Sequence, residues 1–220
     1  AKRILEAGGT AMDAAISAQM VLNLVEPQSS GIGGGAFILY YDAKTKNIYA
    51  WDGREKAPMN FSESIFLNSN GKKKGFIEAV SGGLAVGVPS LVSMLEQAHE
   101  VHGNMPWRSL FNDAIQLSKE GFIVGKRLAK LTSRAPHLKN QETAKEYFSI
   151  DSGGLREGEL KKNLEFAESL ELIRDNGSQA ILHGKLADNI LSTVIGHKNS
   201  PGVMTKNDFN FVNPLLTKPI

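Results

Sequence analysis

The chain contains no cysteine. That excludes disulfides, thiolate metal sites and a cysteine nucleophile, and it fits either a reducing or an oxidising compartment. An excess of charge of one sign is also missing. The 25 basic and 23 acidic residues leave a net charge of +2, too little to argue for nucleic acid or an anionic membrane as partner. The run Lys72-Lys73-Lys74 lies among glycine and asparagine and reads as a solvated loop. No apolar stretch approaches the roughly 20 residues that cross a bilayer as a helix. An initial methionine and a charged-then-apolar leader are absent, and Ala1 opens as if inside a helix. On that ground the chain is expected to be a piece of a longer precursor.

What is present is ordinary globular chemistry: 41% hydrophobic and 22% charged residues over 220 positions. A chain of this length buries about 70% of its unfolded surface and needs no staples, so residues 1–220 are expected to form a single domain. Gly8-Gly9 interrupts a first helix, and Thr10 with Asp13 has the spacing of a capping box. The helix that follows, Ala11 to Val25, is apolar nearly all round and therefore belongs between layers. Tyrosine, isoleucine, phenylalanine and tryptophan mark strands at about 36–42 and 47–53, with Asp42 to Asn47 as their turn. The remainder reads mainly as helices: Ser90 to His102, Pro106 to Glu120, Lys126 to Arg134, Thr143 to Phe148, Asn163 to Asp175 and Leu186 to Ile195. An extended tail runs from Phe209 to Ile220. A two-stranded hairpin is not stable alone, so its sheet partners are expected on a segment or chain outside these residues.

The segment Ser29-Ser30-Gly31-Ile32-Gly33-Gly34-Gly35 is the densest chemical signal. Its spacing satisfies the G-x-G-x-x-G/A dinucleotide pattern, but a helix precedes it and a strand follows, the reverse of the order that sets phosphate on a helix N-terminus. The glycines serve either tight packing under a sheet or the wall of an active site. Arg54, in Asp52-Gly53-Arg54-Glu55-Lys56-Ala57-Pro58, offers a planar fork suited to a carboxylate. It has an equally simple alternative in a surface pair with Glu55 or Asp52. His99 and His102 are three apart on one helix, but without a third ligand at a convincing spacing they read as a solvated helix face and not as a metal site. No Ser/His/Asp set and no Gly-x-Ser-x-Gly stands in the sequence.

Five segments in order closely resemble the γ-glutamyltranspeptidase family: Gly8 to Ala15, Val25 to Gly35, Asp52 to Pro58, Gly83 to Pro89 and Glu120 to Val124. The resemblance implies an α/β fold, the N-terminal-nucleophile hydrolase sandwich of two sheets between helical layers, with this chain as most of the large subunit. It implies a precursor that cuts itself, a nucleophilic threonine at the start of a separate small subunit, and no catalytic residue on this chain. Arg54 is the one substrate-binding residue it carries over, as the grip on the α-carboxylate of a γ-glutamyl compound such as glutathione. No metal and no cofactor are implied. The partners implied are the small subunit and a small γ-glutamyl molecule, and the location is periplasmic or secreted. Two other readings stay open. One is a related acylase, acting on cephalosporins or poly-γ-glutamate; the other is a scaffold segment without chemistry.

Overall fold

The structure is a computed structural model that describes residues 1–219, apart from the side chain of Pro136; Ile220, the last residue of the expected tail, lies outside the described residues. Helices α1 (Lys2–Glu6) and α2 (Ala11–Val25) come first, followed by strands β1 (Ala36–Asp42) and β2 (Asn47–Gly53). A largely irregular stretch carries α3 (Phe76–Val80) and leads to α4 (Leu91–His102). Then come α5 (Asn112–Glu120), β3 (Phe122–Ile123), α6 (Lys126–Thr132), α7 (Glu142–Tyr147) and β4 (Leu160–Lys161). The chain closes with α8 (Leu164–Asn176), α9 (Gln179–Leu182), α10 (Lys185–Ile195) and β5 (Leu215–Thr217). The expected helix from Pro106 begins as a 3-10 turn, Trp107–Phe111, and becomes α-helical at Asn112.

One expectation is corrected here. The hairpin does find a third strand within the chain: β5 pairs antiparallel with β2, setting Trp51 opposite Leu216 and Asp52 opposite Leu215. Sequence periodicity missed it because β5 is three residues long, and so short a strand carries no alternation to read. β1 forms the other edge, in register with β2 from Ala36 opposite Gly53 to Asp42 opposite Asn47.

The two faces of this sheet differ. Trp51 is buried in the main core with Met12, Ile16 and Met20 of α2 and Leu91, Met94, Leu95 and Ala98 of α4. Burial of a side chain of this size contributes about 1.5–3 kcal/mol. The opposite face of β1 presents Phe37, Leu39 and Tyr41, which are 68%, 74% and 60% exposed. A strand apolar on both faces is the pattern of a sheet covered on both sides.

Asp13 fastens α2 to its surroundings. It is fully buried and closes the expected capping box with the N–H and hydroxyl of Thr10, at 2.8 and 3.1 Å. The same carboxylate accepts from the N–H groups of Asn104 (3.0 Å) and Met105 (3.2 Å), just past the end of α4. His99 Nε2 stands 3.3 Å from its other oxygen and 2.9 Å from the Met105 carbonyl. Burial pushes the acid upward, but the donors of Thr10, Asn104 and Met105 outweigh it and hold its pKa below the usual value.

The histidines are not on a solvated face. His99 packs against Trp107, and His102 lies on the core side of the hairpin, stacked on Tyr40 with ring centres 4.3 Å apart and flanked by Tyr49 and Trp51. Helix spacing alone placed both residues correctly on one side of α4; it does not tell which side meets the sheet.

Two outcomes follow for stability. Asp13→Ala strands several buried N–H donors at once and should lower the unfolding free energy by about 3–5 kcal/mol in urea denaturation. Burial, opposed by the charge of Asp42, holds His102 below its ordinary 6.5. As pH falls below that value the unfolded chain takes up the proton first, so stability should decline towards pH 5. Melting curves across this range should be flatter for His102→Phe, which keeps the ring and removes the titration.

Candidate functional site

The site is built where β2 ends. Gly53 lies against Met94, with no room for a Cβ between them. Its carbonyl accepts the Ser90 hydroxyl, so the strand terminus is fixed to the start of α4. Asp52 Oδ1 accepts the backbone N–H of Arg54 at 3.0 Å. Two residues on, Val88 N–H donates to the Lys56 carbonyl at 2.9 Å. Arg54 is therefore held on both sides by main-chain contacts while its side chain stays free to reach outward.

The glycine loop sits beside this turn. The Gly34 carbonyl accepts the N–H groups of Ser90 (3.1 Å) and Leu91 (2.9 Å), the unsatisfied donors that any helix start offers. Gly35 is the one glycine of the loop whose size is demanded within the described residues: a methyl there would strike the Glu55 carboxylate and the Gly53 carbonyl. Gly31 and Gly33 have nothing within 4 Å of where a Cβ would stand. Dense packing of the whole loop, expected from its composition, is thus confined to its last residue.

Glu55 fills the space that Gly35 leaves. One oxygen meets Arg54 Nη2 at 3.0 Å, and the other is buried without a hydrogen-bond partner. On its far side Glu55 packs on Gly87, where an added Cβ would come within 2.7 Å of Cγ. The surface-pair alternative for Arg54 is therefore realised with Glu55. A half-exposed pair of this kind contributes less than about 1 kcal/mol to stability, so its consequence is orientation. Arginine has five N–H donors, and most of the fork remains available.

The fork opens on a cavity of about 150 Å³ that Arg54 lines with Lys56, Met59, Ser90, Asp208 and Phe211. Asp208, which the sequence did not mark, closes one wall. Almost fully buried, it accepts from the N–H of Met59 (2.6 Å), from the N–H of Thr205 (2.6 Å) and from the Thr205 hydroxyl (2.8 Å). Burial opposes its ionisation, yet these donors prevail and keep its pKa low. Thr205 and Asp208 repeat the capping-box spacing seen at Thr10 and Asp13, a signal that was present in the sequence. Among the described residues no cluster of three or more His, Cys, Asp or Glu residues is arranged to hold a metal ion. No helix among them is long and apolar enough to cross a membrane.

Comparison with known proteins bears on all of this geometry. The glutathione hydrolase proenzyme of Bacillus subtilis is 36% identical over 217 residues, 99% of this chain and 36% of that protein. The chain thus spans about a third of the length of such a relative. The solved γ-glutamyltranspeptidase of Helicobacter pylori superposes with a TM-score of 0.92 at 29% identity, covering the whole chain and 62% of that structure. A cephalosporin acylase from Bacillus halodurans shares the fold at a TM-score of 0.82 and 27% identity, over 99% of this chain and 40% of its own. The expected α/β fold of the N-terminal-nucleophile hydrolases is the one observed. The family described as Gamma-glutamyltranspeptidase matches from residue 1 to residue 220, and the chain belongs to that family.

Proposed function

We propose that residues 1–220 form a single domain, the large-subunit segment of a two-chain γ-glutamyl-transfer enzyme, and that Arg54 binds the α-carboxylate of the γ-glutamyl donor. The observation that carries this reading is the Arg54 side chain, fixed at its base by Asp52, turned by Glu55 and opening on a cavity. A planar guanidinium so held recognises a carboxylate through parallel N–H···O bonds.

The chemistry proposed is acyl transfer. A threonine hydroxyl on the small subunit attacks the γ-amide carbonyl, and the amide nitrogen leaves with the transferred proton. The resulting ester is opened by water, giving hydrolysis, or by an amino acid, giving transfer. This chain contributes binding: it holds the donor so that the γ-carbonyl meets the hydroxyl in a fixed pose, which converts an encounter into an intramolecular step. The exposed apolar face of Phe37, Leu39 and Tyr41 supports the two-chain reading, because a second sheet would bury it. The name proenzyme borne by the Bacillus subtilis relative supports the precursor reading. A periplasmic or secreted location is carried over with the family.

The test is steady-state kinetics of the full-length protein on a γ-glutamyl anilide, with a cephalosporin side chain as the rival substrate. Arg54→Ala should lower kcat/KM by roughly ten- to a hundredfold, the loss expected for a charge-assisted contact. Arg54→Lys should be nearly as damaging, since an ammonium lacks the fork. Wild-type turnover by Arg54→Ala would refute the assignment. Gly35→Ala displaces Glu55 and, through it, the guanidinium, so it should cost on the order of tenfold in kcat/KM. Gly33→Ala meets no described atom within 4 Å and serves as its matched control, with turnover close to wild type.

A further inference from the structure

We propose that a second cleft, between the end of α2, helix α7 and the β4–α8 junction, binds a small zwitterion that carries a carboxylate, an α-amino acid or short peptide. The cleft encloses about 580 Å³, within the range of small-molecule sites. None of its lining residues borders the Arg54 cavity. The inference does not rest on the acyl-transfer reading.

Asn23 supplies the first observation. It is only 5% exposed, and its Oδ1 accepts both from Gln19 Nε2, at 2.8 Å, and from the Ser30 hydroxyl. That double acceptance fixes which end of the amide is NH2. The Nδ2 group is left buried without a protein partner, a costly state for a donor. Across the cleft the Tyr147 hydroxyl is also buried, close to Asn163 but in no hydrogen bond with it. Burial, the largest effect, raises the phenol above its ordinary value, and the charge of Glu165 adds to this against the influence of Asn163. The group therefore remains a neutral donor at physiological pH.

Two further donors converge there. Lys161 Nζ rests over the Tyr147 ring, 4.4 Å from its centre, an arrangement that holds a cation in place. Asn163 gives its Oδ1 to the Phe166 N–H at 2.9 Å, which leaves its NH2 as the unused end. A positive charge and several N–H or O–H donors in one cleft match the lone pairs of a carboxylate. Glu146 and Glu165, both exposed, line the same cleft and offer anionic partners to an ammonium. Leu24 and Phe148 form apolar wall for a short side chain. Interior cation and donors with exterior carboxylates are the complement of a zwitterion, and neither a simple amine nor a fully anionic ligand satisfies both sets.

The experiment is isothermal titration of the full-length protein with L-leucine, and with isovalerate and isoamylamine as its two halves. Leucine should bind in the millimolar range or tighter, isovalerate more weakly and isoamylamine least. Lys161→Met should weaken leucine roughly tenfold or more, and Tyr147→Phe several-fold, the scale of losing a charged and a neutral hydrogen bond. Both substitutions are close in shape, and melting curves taken alongside establish that the variants are folded. Heat of binding absent at millimolar leucine overturns the proposal. Affinity unchanged in both variants overturns it equally, because it sets the amino acid elsewhere on the protein.

Discussion

A buried carboxylate organises this chain. Asp13 stands at the start of α2, yet its donors come from the turn before that helix and from the turn after α4. A charge without solvent is tolerated only where donors surround it; here backbone N–H groups do so, and they bring two remote loops to one point. With α2 and α4 locked together, their apolar stripes form the floor under the hairpin. The position of α4 then decides everything at its N-terminus. Ser90 and Leu91 hold the glycine loop, Ser90 also holds the end of β2, and Arg54 begins one residue later. The anion-binding side chain thus stands far along a chain of contacts that starts at Asp13.

The same device closes the cavity from the other side. Asp208 caps its own 3-10 turn and reaches the Met59 N–H, 149 residues away in sequence. One short motif, threonine followed three residues later by aspartate, is used twice to convert a local cap into a long-range clamp. Each time the carboxylate has more acceptor capacity than its own helix start consumes, and a distant backbone takes the surplus.

The sheet explains why so much apolar surface is left on one side. β1 and β2 are hydrophobic in both of their alternating sets, and only the set containing Trp51 meets the helices. An exposed sheet face of this size is unusual for a protein that works alone. It agrees with the chain spanning about a third of a family relative and with the sandwich architecture of its solved relatives.

The sequence by itself determined the elements that depend on local rules. The capping box at Thr10, the apolar helix after it, the Ala36–Asp42 and Asn47–Gly53 strands and most later helices needed only periodicity and cap chemistry, and all are where those rules put them. Tertiary structure alone decided the rest. It paired three residues of the tail with β2, turned His99 and His102 inward, singled out Gly35 from its neighbours and brought Asp208 to the wall beside Arg54. Each of these is a meeting of segments far apart in the chain, where the partner's distance and direction set the outcome. A residue's own chemistry fixes what it is able to bond; only the folded path fixes what stands within reach.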